Sequence, residues 1–276
     1  MLTAEQLGQF NQSGILRMPG AVTKSAADEM LGTVWDCLRE RYHIHRDSLD
    51  TWPEPEIRPA MQISGAHRFT GTHHLPKSVT FEQVGSAIVC GAVDDLLGPG
   101  NWQRPDRWGT LLVAFPESTG PWDLPSTNWH LDFPVSRSTS GLDAVRIFTC
   151  LAKLSPGSGG TLFVSGSHRL VQNLVRQGER LASAEARKRL IRAHLWVKAL
   201  CSRDETDNRV QRFMSNGTAV DGVEVRVVEM TGEPGDVIFT HPMILHAAAL
   251  NCSSVPRFVL STTAFGSGLA QVKLYP

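Results

Sequence analysis

The segment Asn128–Asp132 reads Asn-Trp-His-Leu-Asp and carries the clearest chemical signal in the chain. On an extended strand, residues two apart project from the same face, so His130 and Asp132 are expected to point together while Leu131 turns away. A histidine beside a carboxylate supplies two of the three ligands of a 2-His-1-carboxylate site, which leaves open positions on a non-heme iron. The same short pattern also occurs as a surface His–Asp pair, so the prediction needs a third ligand.

The third ligand has to be a histidine from later in the chain, and the candidates are His168, His194, His241 and His246. His194 lies in a stretch with helical texture, where a solvated helix face is expected. His241 and His246 both follow a strand signal at 235–239. The residues alone leave the choice between these two open.

Arg257 follows His246 by eleven residues and opens a predicted strand at 257–263. Alternation places Arg257, Val259 and Ser261 on one face of that strand. If this face is the interior of a barrel, the guanidinium requires an anion, because a buried unpaired charge is costly. A dicarboxylate would bind it bidentately. The alternative is a solvated arginine at a strand end.

The pattern of residue types changes from Trp108 onward. Short runs rich in Val, Ile, Phe and Thr alternate with Gly, Pro and Ser turns, which predicts a sandwich, jelly roll or barrel. The predicted strands are 109–115, 144–151, 161–164, 223–229, 236–241 and 256–264. Between them we expect an insertion at 170–215 with a helical stretch at 183–200, capped by Ser183.

The first hundred residues favour helices. Residues 3–45 read as helical, with Thr3 and Gln6 in a capping-box pattern and Gly20 as a break. A further helix is predicted at 81–98. We therefore expect an α-rich N-terminal part that leads into a β domain.

Residues 50–80 are rich in Pro, Gly, His and Thr and predict a long loop. Long loops in compact domains are often functional, so this one is a candidate lid. The cationic side chains within 43–80 suit an acidic or phosphate-bearing substrate, and they equally suit a solvated loop.

Composition narrows the class of protein. The chain has 276 residues with 27 basic and 27 acidic side chains, and this balance argues against a nucleic-acid or anionic-membrane binder. Five widely spaced cysteines without a C-x-x-C pattern suit a reducing compartment. With no signal-peptide pattern and no apolar run long enough to span a membrane, we expect a cytoplasmic protein.

We predict one domain over 1–276, with helices and the candidate lid in 1–100 and the β core in 101–276.

Several catalytic patterns are missing from the sequence. It contains no G-x-x-x-x-G-K-[ST] phosphate loop, no G-x-S-x-G nucleophile elbow and no H-E-x-x-H zinc motif. The glycine cluster at 157–160 has Leu162 where a dinucleotide fingerprint needs glycine, and it reads better as a turn.

Four ordered segments carry a family resemblance: Trp129–Asp132, Ser158–Arg169, Pro234–Phe239, and His246 followed by Asn251 and Arg257. They resemble the phytanoyl-CoA dioxygenase family, with weaker similarity in the opening residues. This resemblance implies an iron- and 2-oxoglutarate-dependent oxygenase of mainly β structure with added helices, built on a double-stranded β-helix, which is a jelly-roll or cupin-like barrel.

Carried over to this chain, the resemblance makes His130, Asp132 and His246 the iron ligands. It implies that His168 has a structural or supporting role and that His241 is a packed or pocket-edge histidine. The cosubstrate residues that it implies are Arg257, Ser261, Phe148 and Thr149.

The resulting prediction is an enzyme that uses iron(II), 2-oxoglutarate and O₂ to hydroxylate a small molecule, releasing succinate and CO₂. Desaturation or cyclisation would use the same ligands. Other interpretations are a catalytically silent β-helix protein that binds a ligand or partner, a zinc hydrolase on the same ligands, and an interaction protein with incidental histidines. The presence of Arg257 at cosubstrate spacing favours the oxygenase.

Overall fold

The computed structural model describes residues 1–52, 79–117, 121–136, 142–176, 178–204 and 208–267. Most of the predicted loop at 50–80 lies outside the described residues, so the lid stays a prediction. The helices are α1 (Ala4–Ser13), α2 (Lys24–Tyr42), α3 (Ala87–Leu97), α4 (Ser167–Leu174), α5 (Ser183–Ala193) and α6 (Leu195–Leu200). Short 3-10 turns cover Leu49–Thr51 and Val79–Val84, and a π-helical turn covers Val210–Ser215.

The strands are β1 (Ile15–Met18), β2 (Trp102–Gln103), β3 (Thr110–Ala114), β4 (Val135–Ser136), β5 (Ala144–Cys150), β6 (Thr161–Ser165), β7 (Arg180–Leu181), β8 (Thr218–Val220), β9 (Val223–Glu229), β10 (Val237–Thr240), β11 (His246–Ala248) and β12 (Arg257–Gly266). Six of the twelve strands in the described residues (β3, β5, β6, β9, β10 and β12) fall where the sequence predicted a strand.

Two antiparallel sheets organise the molecule. The larger has the order β1-β10-β5-β12-β2, with β3 also paired to β12, and the smaller has the order β11-β6-β9-β8. Strands β4 and β7 form a separate pair. The fold is therefore mixed α/β with antiparallel sheets.

The two sheets share an apolar core. Phe148, Ile238 and Val259 of the larger sheet cluster with Phe163 of the smaller one, and all four are almost fully buried. Strand alternation puts these residues and Ser261, which lies opposite Phe148, on the same inner face.

The N-terminal helices cover the outer face of the larger sheet. Met30 and Val34 of α2 and Val93 of α3 pack in one cluster with Val145 and Ile147 of β5. Burial of each such side chain contributes about 1.5–3 kcal/mol, so this layer is a major source of stability.

The prediction of helix over residues 3–45 was wrong at Ile15–Met18, which form β1. The Thr3–Gln6 capping box is confirmed. Helix α1 then ends at Gly14, whose left-handed backbone (φ +74°) turns the chain into β1 against β10. An added Cβ on Gly14 would lie 2.6 Å from His168 Nδ1, so glycine is also required for space.

The helical region after β6 differs from the sequence prediction at its caps. Ala182 occupies the N-cap of α5 and Ser183 is the first helical residue, so Ser183 does not cap the helix. None of the helices in the described ranges combines the length and hydropathy needed to cross a bilayer. All five cysteines are free thiols.

Candidate metal centre

The centre forms where the chain at His130 meets the start of β11. His130 and His246 pair as an isolated antiparallel bridge: the His130 N–H donates to the His246 carbonyl (2.8 Å) and the His246 N–H to the His130 carbonyl (3.0 Å). Their rings lie 4.2 Å apart, centroid to centroid. Pairing across 116 positions of sequence therefore brings the two histidines together.

The His-x-Asp segment is not part of a regular strand, contrary to the strand prediction. Only His130 makes a bridge, and Asp132 follows in a bend. Asn128 adopts a left-handed backbone (φ +65°), which asparagine tolerates, and the buried Trp129 fixes the segment by donating its indole N–H to the Pro125 carbonyl at 2.8 Å. The alternation argument still gives the right outcome, because the His130 and Asp132 side chains meet.

Both histidines are held in one tautomer by the backbone. His130 Nδ1 lies 2.7 Å from the Asn128 carbonyl and His246 Nδ1 lies 3.1 Å from the Ile244 carbonyl. A carbonyl only accepts, so each Nδ1 carries the proton and donates it. Each Nε2 is left with a lone pair, as a metal ligand requires.

The three donor groups are close enough to bind one ion. His130 Nε2 lies 3.6 Å from Asp132 Oδ1, and His246 Nε2 lies 3.4 Å from Asp132 Oδ2. One ligand atom from each residue fits within a 4.8 Å span. Ligands about 2.1 Å from a metal at right angles stand roughly 3 Å apart, so the observed set fits a facial site after small movements.

The charge states at the centre suit a cation. Burial alone would raise the pKa of Asp132, but the nearby His246, Arg146 and His130 lower it well below its usual range, so the carboxylate stays ionised. Partial burial and repulsion from His246 lower the pKa of His130, which favours the neutral imidazole. An anionic oxygen ligand and a neutral nitrogen ligand are therefore present near neutral pH.

Arg146 is a site residue that the sequence analysis missed. Its Nη1 lies 2.9 Å from Asp132 Oδ2, and the side chain is about 18% exposed. The available signal was a single charged residue in the otherwise uncharged strand Ala144–Cys150, on the same face as Phe148. A charge-assisted contact of this kind orients a ligating carboxylate.

Arg257 is buried, contrary to the alternative of a solvated strand end. It is 2% exposed, and its Nη1 donates to the Gly159 carbonyl at 2.5 Å. Ser261, also 2% exposed, shares its face of β12 and lies opposite Phe148 on β5. Phe148 lines the small pocket that contains Asp132 and His246.

Thr149 is not brought to this pocket. Strand alternation turns it to the outer face of β5, away from Phe148, where its register partners Val237 and Leu260 belong to the cluster under the N-terminal helices. The cosubstrate role implied for Thr149 therefore does not fit its position.

The other three candidate histidines, His168, His194 and His241, lie outside the ligand set. His168 on α4 stacks 4.6 Å from His241, centroid to centroid, and its Nε2 donates to the Asn11 carbonyl. His241 is one of the residues that line the metal pocket. His194 is 5% exposed at the junction of α5 and α6, so the expectation of a solvated face was wrong.

Solved structures share this fold. The epimerase SnoN, in complex with Fe³⁺, α-ketoglutarate and nogalamycin RO, is 17% identical, with a TM-score of 0.56 over 95% of this chain and 83% of that one. The α-ketoglutarate-dependent carbocyclase SnoK is 16% identical, with a TM-score of 0.53 over 96% and 85%. HygX from Streptomyces hygroscopicus, with nickel and 2-oxoglutarate bound, is 14% identical, with a TM-score of 0.52 over 97% and 88%.

At these identities the structural likeness establishes the fold. A comparison with curated protein sequences gives no significant match. The sequence profile of the family described as phytanoyl-CoA dioxygenase (PhyH) matches residues 10–259, which is most of the chain. The chain is therefore a member of the phytanoyl-CoA dioxygenase family.

Proposed function

We propose that the chain is a non-heme iron(II)- and 2-oxoglutarate-dependent dioxygenase that hydroxylates a small molecule. The observation that carries this proposal is the convergence of His130, Asp132 and His246, with both imidazoles fixed by the backbone so that Nε2 is free to ligate. This donor set is the one that non-heme iron(II) oxygenases use. Family membership supports the same reaction class.

The proposed scaffold is a double-stranded β-helix. Core strands change sheet repeatedly along the chain: β5 lies in the larger sheet, β6 and β9 in the smaller, β10 in the larger, β11 in the smaller and β12 in the larger. This winding supports a jelly-roll barrel, with the helices α4 to α6 as an insertion after β6. The cluster that joins the N-terminal helices to the larger sheet supports a single domain.

Iron(II) would be held by His130, Asp132 and His246, and 2-oxoglutarate by Arg257. When bound, iron(II) and 2-oxoglutarate would supply the oxidising chemistry that activates dioxygen, with succinate and carbon dioxide as co-products. The protein's part is to supply one carboxylate and two imidazole ligands and to keep the tautomers correct. Phe148 and Phe163 contribute apolar side chains to the lining of the pocket.

The position of Arg257 suits the far carboxylate of the cosubstrate. It lies four residues, or about 13 Å of strand, from Ser261, which adjoins the metal pocket through Phe148. An extended arginine side chain and a five-carbon dicarboxylate together span that length. Ser261 and Phe148 would line the path between them, whereas Thr149 faces away.

Hydroxylation is the proposed outcome, and the same ligands serve other outcomes in similar folds. SnoN is described as an epimerase and SnoK as a carbocyclase. Mass spectrometry of the product distinguishes them: hydroxylation adds one oxygen atom, desaturation or ring closure removes two hydrogens, and epimerisation leaves the mass unchanged.

The test is succinate formation by purified protein given iron(II) and 2-oxoglutarate anaerobically and then exposed to oxygen. We expect slow succinate release by the wild type and its loss in His130→Ala and Arg257→Ala. His45→Ala, which removes an exposed histidine outside the site, is the matched control and should retain release. Full succinate formation by His130→Ala would contradict the ligand assignment.

The zinc-hydrolase alternative makes a different prediction. It requires activity with zinc and without 2-oxoglutarate or oxygen, and it gives Arg257 no role. Parallel assays of zinc-loaded and iron-loaded protein separate the two, because only the oxygenase consumes 2-oxoglutarate.

A further inference from the structure

A cavity of about 350 Å³ lies beside the metal centre. Its walls come from residues 103–107, from Thr110, from residues 261–263 and Phe265 of β12, and from Arg146. Its volume falls at the lower end of the range for small-molecule sites. The metal pocket and this cavity have Arg146 in common.

The edge of the larger sheet creates the cavity. Strand β3 pairs with β12 up to Thr110 opposite Ser261, and β2 pairs with β12 again at Gln103 opposite Phe265. Between these pairings residues 104–109 leave the sheet edge, and a space opens over β12. The cavity therefore results from the register in which β2 and β3 pair with β12.

Arg146 stands between the cavity and the metal centre. Its register partners are Thr240 of β10, which lines the metal pocket, and Thr263 of β12, which lines the cavity. Its Nη1 contacts Asp132 Oδ2 at 2.9 Å. Its Nε is buried and has no hydrogen-bond partner among the residues that the structure describes. A buried donor left unpaired costs about 1–3 kcal/mol, so this side chain favours an added acceptor.

The lining of the cavity is positive. Arg104, Arg107 and Arg146 contribute three guanidinium groups, against the single carboxylate of Asp106. Asp132 offsets part of the charge of Arg146 from the metal side.

Other contacts hold Arg104 in place at the rim. Its guanidinium carbon lies 5.1 Å from the centre of the Trp108 ring, and Glu82 lies 3.7 Å from its Nη2. The hydroxyls of Thr110 and Thr263 add neutral polar groups to the same cavity.

We propose that this cavity binds the substrate and that the substrate carries an anionic oxygen group, either a carboxylate or a phosphate. Arg146 and Arg107 bind that group, since guanidinium is the side chain best matched to planar or tetrahedral oxyanions. A substrate held there lies one side chain away from the metal ligand Asp132. The inference rests on the proposed function and adds the substrate class to it.

The experiment measures anion binding near the metal by NMR relaxation. The protein is loaded with manganese(II), a paramagnetic substitute for iron(II), and with saturating 2-oxoglutarate. The probes are inorganic phosphate, followed by ³¹P, and acetate and acetamide, each labelled with ¹³C at the carbonyl carbon. We expect saturable relaxation enhancement for phosphate and acetate but not for the neutral acetamide.

Variants locate the binding site. Arg146→Gln, studied at a manganese concentration that keeps it loaded, and Arg107→Gln should each weaken anion binding about tenfold or more. Arg192→Gln removes an exposed arginine outside the cavity and should leave binding unchanged. Equal enhancement for acetamide, or unchanged anion binding in both cavity variants, would overturn the proposal.

A parallel anaerobic sample with iron(II) and 2-oxoglutarate separates this proposal from the function on which it rests. If the visible band of the iron chelate forms but neither anion binds, only the substrate class is wrong. If the chelate does not form, the proposed function fails, and the assignment of the substrate cavity fails with it.

Discussion

At the scale of single residues, the centre depends on atoms that do not touch the metal. The carbonyls of Asn128 and Ile244 accept hydrogen bonds from the protonated Nδ1 atoms of His130 and His246. The His-x-Asp pattern suggested two of the three metal ligands, and the family resemblance chose His246 over His241, which the residues alone left open. The sequence did not predict Arg146. A single arginine in a strand can be recognised as a buried site residue only when its ion-pair partner in the folded protein is known.

Arg146 is expected to position Asp132 for metal binding. Arg146→Gln should weaken iron(II) affinity about ten- to hundredfold, which is the usual effect of losing a group that orients a ligand. Arg146→Lys keeps the charge and should restore part of the affinity. Anaerobic metal titration measures both variants, and equal affinities for wild type and Arg146→Gln would show that the contact has no such role.

His168 and His241 make stability depend on pH. Burial lowers the pKa of His168 from 6.5 to about 4, and burial lowers the pKa of His241 well below its usual value, with repulsion from His168 adding to this. The unfolded chain binds these protons near pH 6.5, so it holds more protons than the folded chain as the pH falls. The free energy of unfolding should therefore decrease between pH 6.5 and pH 4, by on the order of 3 kcal/mol for His168 alone.

Urea unfolding at several pH values measures this dependence. His168→Gln should flatten the curve between pH 6.5 and pH 4, whereas His45→Gln, at an exposed position, should leave it unchanged. A curve of the same steepness in His168→Gln and the wild type would show that His168 is not an acid-sensitive group.

At the scale of elements, a turn before β10 joins the N-terminal part to the larger sheet. Asp236 accepts hydrogen bonds from the backbone N–H groups of Gly20 and Glu233 and from Arg17, and the Val22 N–H donates to the Gly235 carbonyl. These contacts connect the Pro-Gly-Asp turn at 234–236 to the Pro-Gly pair at 19–20.

The strands show which elements can be predicted from the sequence and which cannot. Strands such as Val223–Glu229 were predicted with their observed bounds because alternation is a local signal. Strand Ile15–Met18 was missed because it has four residues and depends on pairing with β10, far along the chain.

Gly235 is expected to tolerate no side chain. Its backbone has φ +93°, and an added Cβ would lie 2.2 Å from the Val22 carbonyl oxygen. Gly235→Ala should lower the free energy of unfolding by about 3 kcal/mol, as strain and a backbone clash add. Gly222 also has positive φ but open space around it, so Gly222→Ala should cost only about 1 kcal/mol. Equal losses in urea unfolding would rule out the clash.

At the scale of the whole molecule, metal binding should couple to folding, because the ligands come from segments far apart in sequence. The wild type should gain about 2.7 kcal/mol of stability at a metal concentration a hundredfold above Kd. Asp132→Ala should gain almost none. Thermal unfolding with and without metal checks this, and an equal shift of Tm in both proteins would place the metal elsewhere.

The overall architecture was predictable to the level of a β core with N-terminal helices. The short runs rich in Val, Ile, Phe and Thr indicated the strands, and the ordered motifs indicated the family and its fold. The pairing of His130 with His246, the outward orientation of Thr149 and the cavity beside Arg146 were not predictable, because they follow from strand register between distant segments.

The most direct test of the central claim is the visible spectrum of anaerobic protein titrated with iron(II) and 2-oxoglutarate. We predict a weak chelate band in the wild type that requires both additions, is lost in His246→Ala and persists in His45→Ala. A wild-type protein that binds neither iron nor 2-oxoglutarate under these conditions would contradict the oxygenase assignment.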